Sequence, residues 1–313
     1  MGLCDSNNEN LGNCYNQVKI DGEIKDLSTD YLLKESIKIP IISKYKFLES
    51  KIGQGAFGNI KLGKDESGKI YAIKEIKKKK ILKGQLLANE VRIGKKIKHP
   101  NILGIKEIYE DMQLISIVME YCEGGDLFDF ITKSPEGKLD DKTTIDIITQ
   151  ILDAINYLHN EVKICHRDLK PENCLIKVKN AKKPLIKITD FGTAHFIDKN
   201  NRITGKIGTL KYMAPEIFTR PYYDEKVDIW SAGIILYNMT TGREPFALDT
   251  KEYKSHQVSN HEINFDLIKN DDIRGFCQEL LEKNPNKRID AKIAFEKAKI
   301  IKKKCEENLT NNI

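Results

Sequence analysis

The apolar and polar positions of this chain follow two different periods. Apolar residues alternate with polar ones from Tyr45 to Ile52 and again from Asn59 to Gly63, which predicts two β-strands. A third, mostly apolar run, Leu114–Met119, is typical of a buried strand. From Thr143 to His159, in contrast, apolar residues recur at the spacing of a buried helix. Strand patterns therefore dominate the earlier part of the chain and helix patterns the later part.

The two ends of the chain differ from its middle. Residues 5–16 are rich in Asn, Asp and Glu, a composition that predicts disorder. The segment 18–42 is more apolar and is expected to pack on the domain that follows. A long apolar helix is predicted to begin at Asp228 and reach Met239, and a last helix is predicted over about Ala291–Lys304.

Composition excludes several classes of protein. The 313 residues, 40% hydrophobic and 31% charged, suffice for one or two domains with ample core. The net charge of +6 forms no basic stripe interleaved with aromatic residues, so nucleic acid is not an expected partner. Seven scattered cysteines without a C-x-x-C pair favour reduced thiols in the cytoplasm. No apolar run reaches the ~18–20 residues of a membrane span, and no secretory signal follows Met1.

The densest group of candidate catalytic residues lies in residues 166–173, which read HRDLKPEN, and in residues 190–192, which read DFG. They place an acid, a lysine and an asparagine on one tight loop and add a second acid after a short apolar stretch. Phosphoryl transfer needs a carboxylate that accepts a hydroxyl proton, a cation for the phosphoryl group and oxygen ligands for magnesium. The two motifs together resemble the signature of the eukaryotic serine/threonine protein kinases.

A glycine-rich segment lies between the first two predicted strands. Its glycines allow backbone amides to approach phosphates without obstruction by a Cβ atom. The same G-x-G-x-x-G pattern occurs in dinucleotide-binding folds, where it joins a strand to a helix. Here it joins two strands and is followed by YAIK at residues 71–74, which favours the kinase interpretation. The segment consists of Gly53, Gln54, Gly55, Ala56, Phe57 and Gly58.

The resemblance covers about residues 45–300 and implies the fold. It is an α+β, two-lobed protein kinase fold, with a small, mostly antiparallel β-lobe that carries helix C and a larger, mainly α-helical lobe. The expected boundaries are 1–44 for an N-terminal extension, 45–119 for the small lobe, 120–122 for the hinge, 123–300 for the large lobe and 301–313 for a short C-terminal tail.

The resemblance also implies a role for each catalytic residue. Asp168 would accept the proton of the substrate hydroxyl, and Lys170 would steady the γ-phosphoryl group of ATP. Asn173 and Asp190 would hold magnesium. Lys74 would bind the α- and β-phosphates and pair with a glutamate of helix C. Glu90 fits that position, with Glu75 as the alternative.

Further nucleotide contacts follow from the same resemblance. Asp126 would bind the ribose hydroxyls, or would instead cap the helix that begins at Leu127. Met119 would be the gatekeeper residue, and the backbone of Glu120 and Cys122 would bind the edge of the adenine. The other residues expected to line the nucleotide site are Ile52, Ile60, Ala72 and Leu175.

Helix C departs from the family pattern at one position. Four residues after Glu90, where kinases carry a large apolar side chain, the chain has Gly94. Glycine inside a helix costs roughly 0.5–1 kcal/mol relative to alanine and removes the packing atoms. We therefore expect helix C to be loosely held, unless neighbours such as Ile93 or Ile97 compensate.

Substrate preference and regulation are implied by neighbouring residues. Glu172 with Asp126 resembles the acidic pair that receives a basic residue upstream of the phosphorylated serine or threonine. Arg167 belongs to the kinase class in which arginine pairs with an activation-loop phosphate. Thr204 is the best candidate for that phosphate, in a pocket that His195 could share, and the alternative is a loop ordered without phosphate.

Three anchors of the same region are implied as well. Thr209 would hydrogen-bond the catalytic acid and lysine of the loop. Asp228 would hold the backbone of the catalytic loop. Glu216 should form an ion pair with Arg288, which would fix the end of the activation segment, residues 190–216, to the base of the large lobe.

The first residues of the chain match the N-myristoylation pattern M-G-x-x-x-[ST] at Gly2. One myristoyl chain binds a membrane only marginally, so Cys4 is the candidate for palmitoylation as a second anchor. Both lipids would place the protein at the cytoplasmic face of a membrane. The alternative is an unmodified tail.

Within the kinases, EGGDL at residues 123–127 and GTLKY at 208–212 resemble the calcium/calmodulin-dependent group, including the calcium-dependent protein kinases. The sequence contains no EF-hand motif, so direct binding of calcium is not expected. Two functions remain: an active kinase that uses ATP and magnesium on protein substrates, and a pseudokinase that serves as a binding scaffold. The active kinase is favoured because its five expected residues are present: Lys74, Glu90, Asp168, Asn173 and Asp190.

Overall fold

The chain divides into two compact units, residues 1–96 with 104–121 and residues 97–103 with 122–313. The lobe boundaries expected from the sequence stay predictions. Within the described residues, no helix combines the length and the apolar character needed to cross a membrane. The computed structural model describes residues 17–20, 23–26, 36–55, 58–78, 84–246, 258 and 261–310.

The first unit is built on an antiparallel sheet. A hairpin of β1 (Gln17–Ile20) and β2 (Glu23–Asp26) comes first. The five strands of the main sheet are β3 (Lys46–Gly55), β4 (Gly58–Lys64), β5 (Ile70–Lys77), β6 (Ile105–Glu110) and β7 (Leu114–Glu120). They lie in the order β3-β4-β5-β7-β6, and helix α1 (Gly84–Lys96) follows β5 in the chain. The strands predicted near residues 45, 59 and 114 are all present.

One face of this sheet is covered by the segment that precedes β3. Alternate residues of a strand point to the same face, which puts Tyr71 and Ile73 of β5 together. Of the segment 18–42, which is expected to pack on the domain, Ile37 and Ile41 lie against this face together with Tyr45, whereas Ile39 and Ile42 are exposed. The buried cluster consists of Tyr45, Tyr71, Ile73, Tyr109 and Val118, and Ile37, Ile41 and Phe47 pack against it.

The second unit is mainly helical. Its helices are α2 (Leu127–Thr132), α3 (Asp141–Asn156), α4 (Pro215–Thr219), α5 (Val227–Thr241), α6 (Asp271–Leu280) and α7 (Ala291–Thr310). Short strands pair as β8 (Ile164–Cys165) with β11 (His195–Phe196) and as β9 (Cys174–Ile176) with β10 (Ile186–Ile188). Helix α7 continues past the predicted end at Lys304, because residues 305–310 contain neither glycine nor proline.

Helix α3 begins and ends for local reasons. Asp140 caps it, since its side-chain oxygen accepts the N–H of Thr143 at 2.9 Å. After Asn156 a π-helical turn, Tyr157–Val162, closes the helix, and Lys163 adopts the left-handed conformation with φ of 61°. Strand β8 follows at once, so this turn sets where the catalytic loop begins.

Candidate active site

A buried carboxylate fixes the catalytic loop, residues 166–173. Asp228, in the first turn of α5, accepts the backbone N–H of His166 at 2.8 Å and of Arg167 at 2.9 Å. His159 Nε2 lies 2.8 Å from the same carboxylate. Burial alone would raise the pKa of Asp228, but these hydrogen bonds hold the pKa below its ordinary value. The ionised carboxylate therefore anchors the backbone of the loop.

His159 is a site residue that the sequence pattern does not reveal. It lies in the π-helical turn, is separated from Asp228 by 69 positions and is almost fully buried. A histidine at a helix end has many ordinary roles, so its position in the sequence gives no signal. Its position in the fold makes it a support for Asp228 rather than a group that reaches substrate.

The conformation of the catalytic loop is strained at Arg167. Its φ of 70° is uncommon for any residue other than glycine. The Arg167 Nε donates to the carbonyl of Thr193 at 2.6 Å, and the ring of His166 lies 5.0 Å from the ring of Phe191. His166 Nε2 also lies 3.1 Å from the carbonyl oxygen of Thr189. The loop is thus held by Asp228 on one side and by the DFG region on the other.

The side chains expected to act on substrate meet in one cluster. Thr209 Oγ1 donates to Asp168 Oδ1 at 2.7 Å and accepts a hydrogen bond from Lys170 Nζ at 2.8 Å. Lys170 Nζ also lies 3.1 Å from Asp168 Oδ2. The side chains of Asp168 and Lys170 are 12% and 21% exposed, so both reach solvent. A partly exposed carboxylate beside a cation can accept a proton from an incoming hydroxyl while the cation faces a phosphoryl group.

Gly208 allows Thr209 to come this close to the catalytic loop. The φ of Gly208 is +121°, and a Cβ atom at this position would lie 2.3 Å from the backbone oxygen of Arg167. Any side chain would collide with backbone that cannot yield. Packing therefore requires glycine at residue 208, because only a residue without a Cβ atom lets this segment come so close to the catalytic loop. Thr209 can then form its hydrogen bonds with the loop.

Asn173 and Asp190, the expected magnesium ligands, belong to adjacent backbone segments. The N–H of Thr189 donates to the carbonyl of Asn173 at 3.0 Å, which brings Asp190 beside the loop. The Asn173 amide nitrogen donates to the backbone oxygen of Asp168 at 2.8 Å, so its Oδ1 is the atom that remains for a cation. An amide oxygen and a carboxylate are the hard oxygen ligands that Mg²⁺ prefers, and these residues fit such an ion.

In the first unit, Lys74 and Glu90 form a buried ion pair. Lys74 Nζ lies 2.6 Å from Glu90 Oε1 and 2.8 Å from Oε2. The two side chains are only 8% and 7% exposed. The pair ties α1 to β5, and removing one member would leave the opposite charge buried without this partner. Glu75, the alternative partner, forms an ion pair with Lys61 at 2.7 Å instead.

Three residues expected to contact the nucleotide share the sheet face of Lys74. Ile60 on β4 lies opposite Lys74, and Met119 on β7 lies opposite Ala72. Directly opposed residues of neighbouring strands point to the same face, as do alternate residues of one strand. The alternation of the sheet therefore collects Ile60, Ala72 and Met119 around the lysine.

Asp126 caps helix α2, because its Oδ1 accepts the N–H of Asp129 at 2.8 Å. This is the alternative that the sequence leaves open, and binding of ribose by the same residue stays a prediction. The backbone of Asp126 also bridges Leu175. The other expected contacts are Ile52, Gly53, Gln54 and Gly55 on β3, Gly58 on β4, Glu120 at the end of β7 and Cys122 two residues later. Ala56 and Phe57, also expected to contact the nucleotide, lie outside the described residues.

The two acids expected to receive a basic substrate residue lie on neighbouring elements. Glu172 is exposed in the short 3-10 turn Pro171–Asn173, and Asp126 caps the helix that contacts this turn. Burial raises the pKa of the Cys174 thiol, and the charges of Glu172 and Asp126 raise it further. Both carboxylates thus add to one region of negative potential.

Glu216 and Arg288 form a bidentate ion pair in the core of the second unit. Arg288 Nη1 lies 2.5 Å from Glu216 Oε1, and Nη2 lies 3.0 Å from Oε2. Both side chains are at most 1% exposed. Arg288 also donates to the carbonyls of Glu282 and Lys226 and lies over the ring of Trp230. The end of the activation segment is thereby fixed to the segment that connects α6 and α7.

The activation segment is held through its backbone near Thr204. Arg167 Nη1 lies 3.4 Å from the carbonyl oxygen of Thr204, and the Tyr223 hydroxyl donates to the carbonyl of Gly205 at 2.8 Å. Burial, and then the positive charge of Arg167, lower the pKa of His195, so this ring is neutral at pH 7. The arginine therefore has backbone partners already, and the histidine adds no positive charge for a phosphate.

Helix α1, which carries Glu90 and is therefore the helix C expected from the sequence, passes very close to β6 at Gly94. A Cβ atom at this buried position would lie 2.8 Å from both Cγ1 and Cδ1 of Ile105, the first residue of β6. Ile105 thus fills the space that a larger residue would occupy. This strand therefore compensates for the side chain that the glycine lacks. The contact favours the alternative in which helix α1 is held in place.

Comparison with known proteins agrees with this geometry. Residues 47–298 match the protein kinase domain. Calcium-dependent protein kinase 5 of Plasmodium falciparum (isolate 3D7) is 38% identical over 251 residues, 79% of this chain and 43% of that protein. The probable serine/threonine-protein kinase fhkD of Dictyostelium discoideum is 35% identical over 292 residues, 86% of this chain and 38% of that protein. Calcium/calmodulin-dependent protein kinase type 1 of Macrobrachium nipponense is 34% identical over 270 residues, 84% of this chain and 76% of that protein.

The chain belongs to the protein kinase family, and its kinase domain is of the serine/threonine type. The expected kinase fold is confirmed by the family match and agrees with the five-stranded antiparallel sheet and the mainly helical second unit. The chain spans less than half the length of two of these relatives. Gly2 and Cys4 lie outside the described residues, so their lipidation stays a prediction.

Proposed function

We propose that this chain is an active kinase that transfers the γ-phosphoryl group of ATP to serine and threonine hydroxyls of protein substrates. The observation that carries the proposal is the cluster of Asp168, Lys170 and Thr209, joined by hydrogen bonds of 2.7 and 2.8 Å. Use of ATP is a property of the family.

In this proposal each residue has one task. Asp168 accepts the proton of the substrate hydroxyl, and Lys170 offsets the negative charge of the phosphoryl group in transfer. Lys74, oriented by Glu90, binds the α- and β-phosphates. Asn173 and Asp190 would hold Mg²⁺, which supplies positive charge to the phosphate oxygens when bound.

The test is turnover of ATP on a serine peptide with basic residues upstream of the serine. Wild-type protein and an Asp168→Asn variant are purified in parallel and assayed with magnesium. Indistinguishable rates would contradict catalysis and favour the pseudokinase. The intact Lys74–Glu90 pair and the complete catalytic loop support the active enzyme over that scaffold.

We expect a preference for basic residues upstream of the phosphorylated residue, because Glu172 and Asp126 concentrate negative charge beside the catalytic loop. Glu172→Gln should lower kcat/KM for a basic peptide about two- to fivefold, the magnitude of an exposed ion pair. A matched peptide with alanine at the basic positions serves as the control, and its kcat/KM should be the same with wild type and variant. Equal losses on both peptides would contradict a role in recognition.

We expect activity without phosphate on Thr204, because Arg167 and Tyr223 hold this part of the segment through backbone oxygens. Thr204→Ala should keep kcat within about twofold of wild type, as for most surface substitutions. The measurement pairs steady-state kinetics with intact-mass analysis of the wild type. A large loss of activity, together with phosphate mapped to Thr204, would contradict this expectation and favour an activation loop that is ordered by phosphorylation.

Association with the cytoplasmic face of a membrane is proposed from the sequence of the N-terminus alone. Myristate on Gly2 and palmitate on Cys4 would give the two anchors that stable binding needs. Intact-mass spectrometry of the protein from its own cells would detect both, and an unmodified mass would contradict the proposal.

Two of the relatives named above carry calcium dependence in their names, but we propose that calcium does not bind this chain directly, since its sequence lacks an EF-hand motif. Calorimetric titration with calcium tests this.

A further inference from the structure

Two isoleucines of the segment before β3 remain outside the core that this segment covers. Ile37 and Ile41 pack against the buried cluster of the first unit, whereas Ile39 and Ile42 are 56% and 72% exposed. An exposed apolar side chain gains nothing from burial in the folded chain. The packing of the first unit therefore does not require isoleucine at these two positions, which we call the isoleucine patch.

A third exposed apolar side chain lies in the direction in which this segment runs. Ile37 forms a parallel bridge with Tyr109, so the residues after Ile37 run toward the turn that connects β6 and β7. Met112, in this turn, is 95% exposed. Single apolar side chains are ordinary on a protein surface, but several in one region indicate a surface that contacts another molecule or a membrane.

The charged residues around the isoleucine patch are cationic. Residues 36–48 contain three lysines and neither aspartate nor glutamate. The side chains of Lys38 and Lys44 are 60% and 46% exposed, whereas their carboxylate partners, Glu110 and Glu107, are only 7% and 17% exposed. Positive charge therefore lies at the surface, and the negative charge that balances it lies beneath.

The third lysine adds to this positive surface. Lys46 is exposed and lies directly opposite Lys64 on β4, which is exposed as well. Like charges at opposed positions of neighbouring strands destabilise the pairing. An anionic surface next to these two lysines would relieve their repulsion.

We propose that residues 38–46 form a membrane-contact surface. The isoleucine patch enters the boundary between the headgroups and acyl chains of an anionic bilayer, and the exposed lysines bind the headgroups. Apolar residues next to lysines, without acids, are the composition of segments that bind such boundaries. The inference rests on the membrane association proposed above, and it adds a contact made by the folded domain to the lipid proposed at Gly2.

The test uses the unlipidated full chain, made with Gly2→Ala, and vesicles of phosphatidylcholine with a minor share of phosphatidylserine. The protein should sediment with these vesicles and much less with pure phosphatidylcholine. Ile39→Ser with Ile42→Ser should lower the apparent affinity about tenfold, because two inserted apolar side chains are lost. Ile293→Ser with Ile300→Ser, at positions of α7 that are 45% and 59% exposed, is the matched control and should bind like the parent.

A tryptophan in the patch reports insertion directly. Ile42→Trp adds an exposed indole, whereas the native Trp230 is fully buried and reports that the second unit stays folded. Anionic vesicles should shift the added emission to shorter wavelength, and lipids with brominated acyl chains should quench it. Ile300→Trp should show neither effect.

Equal binding by the Ile39/Ile42 variant and its parent would overturn the proposal, and so would an equal loss in the α7 control. Self-association that the Ile39/Ile42 variant abolishes, without binding of vesicles by its parent, would assign the patch to a second copy and overturn it too. An unmodified mass from cells, with the expected binding of vesicles, would contradict lipidation alone. A lipidated protein whose patch variant binds like wild type would contradict the membrane-contact surface alone.

Discussion

Asp168→Asn is expected to lower kcat for phosphoryl transfer about 10²–10⁴-fold, the usual contribution of a positioned general base. The amide has the size of the carboxylate, and its oxygen can still accept the hydrogen bond from Thr209 at the position of Oδ1, while its NH2 group replaces the Oδ2 that lies beside Lys170. It cannot accept the proton of the substrate hydroxyl. The loss should therefore fall on kcat, with the affinity for nucleotide almost unchanged.

This pattern is measured by steady-state kinetics together with binding of a nucleotide analogue. Asp271→Asn is the matched control, since it makes the same chemical change at a carboxylate that is 85% exposed and lies on α6. The control should keep the wild-type rate. A wild-type kcat in the Asp168 variant would mean that another group takes the proton, and an equal loss in both variants would show a general defect.

Arg288→Ala is expected to destabilise the second unit by about 3–5 kcal/mol, because it leaves the buried carboxylate of Glu216 without its partner. Trp230 is the sole tryptophan and is fully buried on α5, so its fluorescence follows the unfolding of this unit in denaturant. Arg288→Lys keeps the charge but loses the bidentate geometry, and its loss should be intermediate.

An exposed ion pair gives the control for this experiment. Lys297 and Glu279 lie 2.6 Å apart, but their side chains are 43% and 40% exposed. Lys297→Ala should therefore cost less than about 1 kcal/mol. Replacing Glu216 and Arg288 together by leucine and methionine should recover part of the loss, since no charge is then left buried. A loss near that of the control for Arg288→Ala would contradict the buried-pair argument.

The sequence predicts the parts of the site whose chemistry demands fixed residue types at short spacing. Asp168, Lys170 and Asn173 fall within one loop, so their pattern is visible without any structure. Glu90 could also be placed, because its position before HPNI at residues 99–102 fits the family pattern. The roles of these residues depend on residue type and on spacing along the chain, and the sequence shows both.

What could not be predicted depends on contacts between distant positions. His159 gains its role only by meeting Asp228, 69 positions away, and Ile105 by meeting a helix from another part of the unit. Asp126 could be read in two ways because capping a helix and binding a ribose require the same side chain. Packing decides such cases, and packing has no short-range signal.

The segment before β3 has a consequence for how the domain should be expressed. Ile37 lies beside Tyr109 on the edge strand β6 as a backbone bridge, in which its N–H donates to the carbonyl of Ile108 at 2.8 Å and its carbonyl accepts the N–H of Glu110 at 3.1 Å. A protein cut at the start of the family match, residue 47, would lose this cover and Tyr45 as well. The rest of the buried cluster and the edge of β6 would then face solvent, and unpaired strand edges promote aggregation. The shortest well-behaved fragment should therefore begin before Ser36, upstream of the point where sequence similarity begins.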